Sequence, residues 1–88
     1  MNPDEWTITL TALRPRLLRF AVLQLRDASV AEDAVQDTLL SATERAHQFA
    51  GGASISTWVF AILKNKIIDE FRRRSRQPQT VVDVEQEQ

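Results

Sequence analysis

The 88-residue chain has no cysteine and no tyrosine, one histidine, two glycines and three prolines. Without cysteine there are no disulfides or thiolate metal sites, and His47 alone makes no histidine cluster, so neither metal nor cofactor is expected. Long hydrophobic runs are missing too. The longest, residues 58–63, falls far short of the roughly 20 residues of a membrane span, and no basic segment followed by an apolar one opens the chain. A cytoplasmic location is the expectation. There is no nucleophile elbow, glycine-rich phosphate cradle or metal-ligand spacing, and a small helical domain offers little concavity, so no catalytic residue and no enzymatic activity are assigned. At this length one domain with one core is expected, most economically a compact all-α bundle.

A large excess of one charge is also missing, since eleven basic residues stand against twelve acidic ones for a net charge of −1. The average hides a segregation. Six of the eleven basic residues lie within residues 64–76, opposed there only by Asp69 and Glu70. Residues 31–46 carry Glu32, Asp33, Asp37 and Glu44 against Arg45 alone. One segment is cationic and another anionic, which points to two kinds of partner. Beyond Arg76 the chain becomes acidic and glutamine-rich with little to bury, and 77–88 reads as a flexible tail or linker.

Three helices account for the rest. Leu10, Leu13, Leu17, Phe20 or Ala21, and Leu25 recur at spacings of three and four, predicting an amphipathic helix from the Pro3-Asp4-Glu5 start to about Arg26, bent at Pro15. Arg14, Arg16, Arg19 and Arg26 fall between them as a solvated face. Ser29 followed by Glu32 has the capping-box spacing, so a second helix is predicted to begin near Val30. It would bury Ala31, Val35, Thr38, Leu39, Ala42, Ala46 and Phe49 and expose Asp33, Gln36, Asp37, Leu40 and Glu44. Acidic groups around an apolar anchor suit a basic partner helix, although an ordinary solvated face has the same spacing. Gly51 and Gly52 are expected to end this helix, with Ser54 or Ser56 capping the third.

Nothing breaks a helix between Ile55 and Arg76. Its apolar residues occupy two faces, with Trp58 assigned to the core, and its end is the run Arg72, Arg73, Arg74, Ser75 and Arg76. These guanidiniums favour the negative C-terminal end of a helix, but contact with phosphates is the stronger reading. Asp69 is assigned to orienting Arg72, Arg73 or another basic residue by pairing with it.

Two motifs, in order and correctly spaced, carry a resemblance. Residues 30–40 read Val-Ala-Glu-Asp-Ala-Val-Gln-Asp-Thr-Leu-Leu. Residues 52–73, after Phe49, read Gly-Ala-Ser-Ile-Ser-Thr-Trp-Val-Phe-Ala-Ile-Leu-Lys-Asn-Lys-Ile-Ile-Asp-Glu-Phe-Arg-Arg. Together with Arg-Pro-Arg-Leu-Leu-Arg-Phe at 14–20, they resemble region two of the extracytoplasmic-function (ECF) group of bacterial sigma factors, in the sigma-70 family. The resemblance implies a module that binds the clamp helices of the RNA polymerase beta-prime subunit and helps open and recognise the minus-ten promoter element. Asp33, Gln36, Asp37 and Leu40 match the polymerase-binding segment. Ala50, Gly51, Gly52, Ala53, Ser54 and Ser56 belong to the loop that matches the family's base-capturing specificity loop, where glycines would allow close backbone approach. Lys64, Asn65, Arg72, Arg73, Arg74 and Arg76 match the helix that engages promoter DNA, Asn65 as a hydrogen-bond donor and the arginines as phosphate clamps.

Ala50 stands where many members of that family carry a basic residue, and Lys64 where arginine is common. The family's second DNA-binding domain would follow Gln77, so the chain reads as a fragment or a reduced member, with residues 1–76 as the module. An anti-sigma factor is a further expected partner. A different class of protein shares some of these features: a domain that binds polymerase or an anti-sigma protein without reading DNA. A basic helix for nucleic acid or anionic membranes in general is a weaker alternative, because the third helix is apolar on two faces and needs neighbours.

Overall fold

A computed structural model describes residues 2–76, and the proposed tail 77–88 lies outside the described residues. Three helices form an all-α bundle: α1 (Pro3–Leu25), α2 (Ala28–Glu44) and α3 (Ile55–Arg76), with a short 3₁₀ turn (Ala46–Gln48) after α2.

A reciprocal capping box starts α1. The Asn2 side chain accepts from the Glu5 amide at 2.9 Å, the Asn2 amide donates to Glu5 Oε1 at 3.1 Å, and Pro3 fills the first turn, where its missing N–H costs nothing. The helix then runs through Pro15 without interruption. The amide lost at Pro15 would have bonded the carbonyl of Thr11, and both residues are exposed, so water can serve that carbonyl.

Between α1 and α2 stand only two residues. Arg26 takes the left-handed conformation at φ 58°, its amide closing back on the Val22 carbonyl at 2.9 Å. Asp27 follows as the N-cap of α2, its carboxylate accepting from the Val30 amide at 3.0 Å. The cap is therefore Asp27 rather than Ser29, and α2 starts two residues before Val30, because the reversal at Arg26 already places a carboxylate against the first free amides. Asp27→Ala is expected to cost about 1 kcal/mol, or about 4–8 °C in Tm, and Ser29→Ala next to nothing. Thermal unfolding of the two variants decides between the caps; a larger loss for Ser29→Ala than for Asp27→Ala would return the role to Ser29.

The far end of α2 also departs from the sequence reading. It stops at Glu44 rather than at the glycines, and the 3₁₀ turn redirects the chain so that Phe49 folds inward. There Phe49 meets Trp6 and Trp58, with ring centroids 5.9 Å (Trp6–Phe49), 5.8 Å (Trp6–Trp58) and 5.5 Å (Phe49–Trp58) apart. Trp58 thus packs against the core as assigned, and Trp6, which precedes the recognised leucine stripe, joins it. The core continues through Leu17, Ala21 and Leu25 of α1, Ala31, Val35 and Ala42 of α2, and Val59, Ile62, Leu63 and Ile67 of α3. Alanines along α2 let the helices approach closely, and the fully buried hydroxyl of Thr38 donates to the Ala34 carbonyl at 2.8 Å. Contacts between α1 and α3 run in chain order: Trp6 with Trp58, Phe20 with Phe60, and the Leu25 carbonyl with Arg74. The two helices are therefore parallel, with α2 returning between them.

Candidate functional site

The exposed ridge of α2 carries Asp33, Gln36, Asp37 and Leu40, all in solvent, with Leu40 56% exposed. Two grooves flank it. On the α3 side a groove of about 340 Å³ is lined by Asp33, Asp37, Lys66, Asp69, Glu70 and Arg73, together with Val30 and Ala34. On the α1 side one of about 380 Å³ is lined by Arg14, Gln36, Leu39, Leu40 and Thr43. The ridge is thus acidic toward α3, and amide and apolar toward α1, where Arg14 adds a cation. Sequence periodicity placed the ridge residues together, with Thr43 one turn beyond Leu40; Arg14 and Lys66 as its neighbours follow only from how the helices pack.

The loop of residues 50–54 hangs between two anchored aromatics, Phe49 and Trp58. Ala50, Gly51, Gly52 and Ala53 are exposed. Gly51 sits at φ +83°, a conformation that glycine adopts without strain, while a side chain at Gly52 would meet open space. Ser54 Oγ accepts from the Thr57 amide at 3.1 Å, so Ser54 rather than Ser56 caps α3, and Ser56 lies half-buried in the first turn. Two of the loop's six candidates therefore serve or sit within the helix start.

Along α3, Lys64, Asn65, Arg72 and Arg76 are exposed. Lys64 leans toward α1, its Nζ 6.0 Å from the centre of the Phe20 ring, and Arg16 lies 5.6 Å over Phe60, which packs edge-on against Phe20. Lys64 and Arg16 thus share a flank toward α1 and are not among the residues lining the groove with Asp33 and Asp37, whereas Lys66 and Arg73 do line it.

The arginine run does not act as one group. Arg73 makes a two-pronged contact with Glu70, Nε to Oε1 at 3.1 Å and Nη2 to Oε2 at 2.7 Å. Arg74 is half-buried; it donates to Glu70 Oε2 at 3.2 Å and to the Leu25 carbonyl at 3.3 Å, and lies 5.7 Å over the Phe71 ring. Arg72 meets Asp69 only at 3.7 Å, with both side chains about 70% exposed (68% and 71%). Asp69 thus pairs with Arg72 as assigned, whereas Arg73 and Arg74 turn to Glu70, whose side chain is only 15% exposed. The signal was present in the spacing, since Glu70 stands three and four residues before the two arginines. The Arg73 hydrogen bond, opposed by burial and aided by the charges of Arg73 and Arg74, holds the Glu70 carboxyl below its ordinary pKa. A carboxyl depressed in this way stabilises the fold above its unfolded pKa, and that contribution disappears as pH falls through the lower, folded value.

Among the described residues no three His, Cys, Asp or Glu side chains are grouped as metal ligands, and no helix is long and apolar enough to cross a membrane. What remains is a scaffold with an acidic ridge, an anchored loop and a cationic helix face. Residues 9–77 match the sequence profile of Sigma-70 region 2. This chain belongs to that family.

Its similarity to individual sigma factors is substantial. It is 45% identical over 69 residues to a probable RNA polymerase sigma factor of Haemophilus influenzae, a match that covers 78% of this chain and 36% of that protein. It is 35% identical over 74 residues to the ECF RNA polymerase sigma factor EcfG of Rhodopseudomonas palustris, covering 84% and 41%. It is 38% identical over 63 residues to the ECF RNA polymerase sigma factor SigM of Mycobacterium tuberculosis, covering 72% and 32%. Two of these three, EcfG and SigM, are ECF sigma factors, and their similarity supports an ECF region 2 domain. The chain spans between about a third and two fifths of the length of the curated relatives it matches, at 36%, 41% and 32%.

Proposed function

We propose that this region 2 domain is the promoter-melting module of an RNA polymerase sigma factor, acting in the cytoplasm as a two-sided adaptor and not as an enzyme. The observation that supports this most directly is that two different helices of the family's scaffold present exposed groups of opposite character. Asp33, Gln36, Asp37 and Leu40 form an acidic ridge with one apolar anchor on α2, while Lys64, Asn65 and Arg72 lie along α3 beyond the anchored loop.

On this reading the ridge receives the basic clamp helices of the polymerase beta-prime subunit, Leu40 supplying apolar contact and the carboxylates supplying charge complementarity. The loop 50–53 takes a base flipped from the non-template strand of the minus-ten element. Because Phe49 and Trp58 hold both of its ends, less conformational freedom is lost on capture, and unstacking the base costs only about a few kcal/mol. Asn65 offers hydrogen bonds to a base edge, and Lys64, Arg72 and Arg76 neutralise phosphates. Residues 1–76 make up the module, 77–88 a tail or linker beyond it, and an anti-sigma factor would compete for one of the two surfaces.

Fluorescence anisotropy with single-stranded oligonucleotides tests the DNA side. A minus-ten non-template strand should bind at least about 10-fold more tightly than a scrambled strand of the same composition, with affinity falling as salt rises. Equal affinity for both strands would exclude DNA reading and favour a domain that binds polymerase or an anti-sigma protein only.

A further inference from the structure

We infer that Glu70 determines which cations of α3 are available to a polyanion: it withholds Arg73 and Arg74 and leaves Arg72 and Arg76, with Lys64, to contact the opened strand. The inference rests on the reading of α3 as the DNA-facing helix, and deepens it.

The geometry separates two adjacent arginines that composition makes equivalent. Arg72 shares one long contact of 3.7 Å with an exposed carboxylate, a kind of pair worth little in water and readily exchanged for a phosphate. Arg73 fills both oxygens of Glu70 in a fork at 2.7 and 3.1 Å, the stronger, directional form of the interaction. For Arg73 to reach a phosphate it must abandon that fork and leave Glu70, whose side chain is only 15% exposed, with Arg74 alone, so the new contact is offset by the one given up. Arg74 has even less freedom. Its guanidinium closes one of the open carbonyls at the end of α1 through the Leu25 oxygen and covers Phe71, so it fastens the last turns of α3 to the α1–α2 corner.

The arrangement has a functional consequence. Phosphate contacts add affinity without sequence information. A helix presenting all four arginines of residues 72–76 would bind any strand tightly; by retaining two of them Glu70 lowers that indiscriminate affinity and leaves a greater share of binding to the loop and Asn65. Glu70 is thus a specificity-determining residue that need not touch DNA.

Salt dependence reads the number of phosphates neutralised, at about 0.7 in the slope of log K against log salt for each contact to a single strand. With the full chain and oligo(dT) as probe, Arg72→Ala should reduce the slope by about 0.7 and Arg73→Ala should leave it within about 0.2 of wild type. Glu70→Gln, checked for folding by circular dichroism, should steepen it by about 0.7 or more and raise affinity for oligo(dT) and for a minus-ten strand alike. A slope change for Arg73→Ala as large as that for Arg72→Ala overturns the inference, as does an unchanged slope in folded Glu70→Gln. Should Glu70→Gln fail to fold, the comparison of the exposed Arg72 and Arg73 decides alone. Because oligo(dT) carries no promoter sequence, failure of promoter preference would sink the proposed function without altering these slopes, whereas no binding of oligo(dT) at low salt would sink both.

Discussion

Replacing Asp37 by lysine and Leu40 by alanine together is expected to weaken binding to core RNA polymerase at least about 100-fold while leaving the domain folded. The size follows from what each side chain offers a partner. Leu40 is 56% exposed, so it contributes little to the bundle and is available as an apolar anchor; truncating such an anchor at the centre of an interface typically costs about 2 kcal/mol or more. Asp37 is exposed on the same ridge and borders the groove that also holds Asp33 and Glu70. Reversing its charge removes an attraction and sets a cation against the basic partner, a penalty that can reach several kcal/mol. Since every 1.4 kcal/mol is a factor of ten, even a strongly non-additive pair exceeds about 2.8 kcal/mol, which corresponds to 100-fold. Stability should change by no more than about 0.5 kcal/mol, as for other surface substitutions. Titrating labelled domain with core polymerase, with thermal unfolding alongside, makes the measurement. Undiminished affinity in a folded double variant would remove the α2 ridge from the polymerase interface and leave the DNA-facing side of the proposal standing.

The second large effect lies in the core. Leu17 is fully buried, at 0% exposure, in the hydrophobic cluster shared by all three helices. Leu17→Ala should destabilise by about 2–5 kcal/mol, the lost transfer energy plus the cavity that a close-packed interior cannot fill. For a domain of this size total stability is about 4–13 kcal/mol, so the variant loses a substantial share of it, with Tm lowered by about 8 °C or more on a scale of about 4–8 °C per kcal/mol. Leu23, 66% exposed on the same helix, provides the control, and Leu23→Ala should shift stability by less than about 0.5 kcal/mol. Similar melting curves for the two variants would mean that α1 is rotated relative to the packing described. Because the ridge and the surface proposed to meet DNA both depend on this cluster, Leu17→Ala should reduce polymerase and strand binding together, in contrast to the one-sided loss expected for Asp37 and Leu40.

Particular elements explain how far the sequence could be read. The α3 boundaries, Ile55–Arg76, coincide with the uninterrupted helical pattern, since nothing in that stretch competes with i→i−4 bonding. The outward ridge of α2 was equally legible, because 3.6 residues per turn determine which side chains share a face whatever the helix packs against. The start of α2 was not. Ser29 and Asp27 are both competent caps, and choosing between them requires knowing that Arg26 turns the chain through a left-handed conformation. Nor did the glycines mark the end of α2, because the place where the chain must turn is decided by Phe49 reaching Trp6 and Trp58 across the bundle.

By itself, then, the sequence determined three helices, the segregation of acid from base and the family, all of which depend on local bonding, periodicity and motif spacing. Spacing put Glu70 within reach of Arg73 and Arg74, but tertiary structure decided how firmly each arginine is held. Composition makes Arg72, Arg73 and Arg74 alike, and an acidic neighbour lies within reach of each. The rotation of α3 against α1 turns Glu70 inward and brings Arg74 to the Leu25 carbonyl, while Arg72 and Asp69 remain in water. An ion pair gains strength from fixed geometry and partial burial, and both properties belong to the packed bundle rather than to the order of residues along one helix.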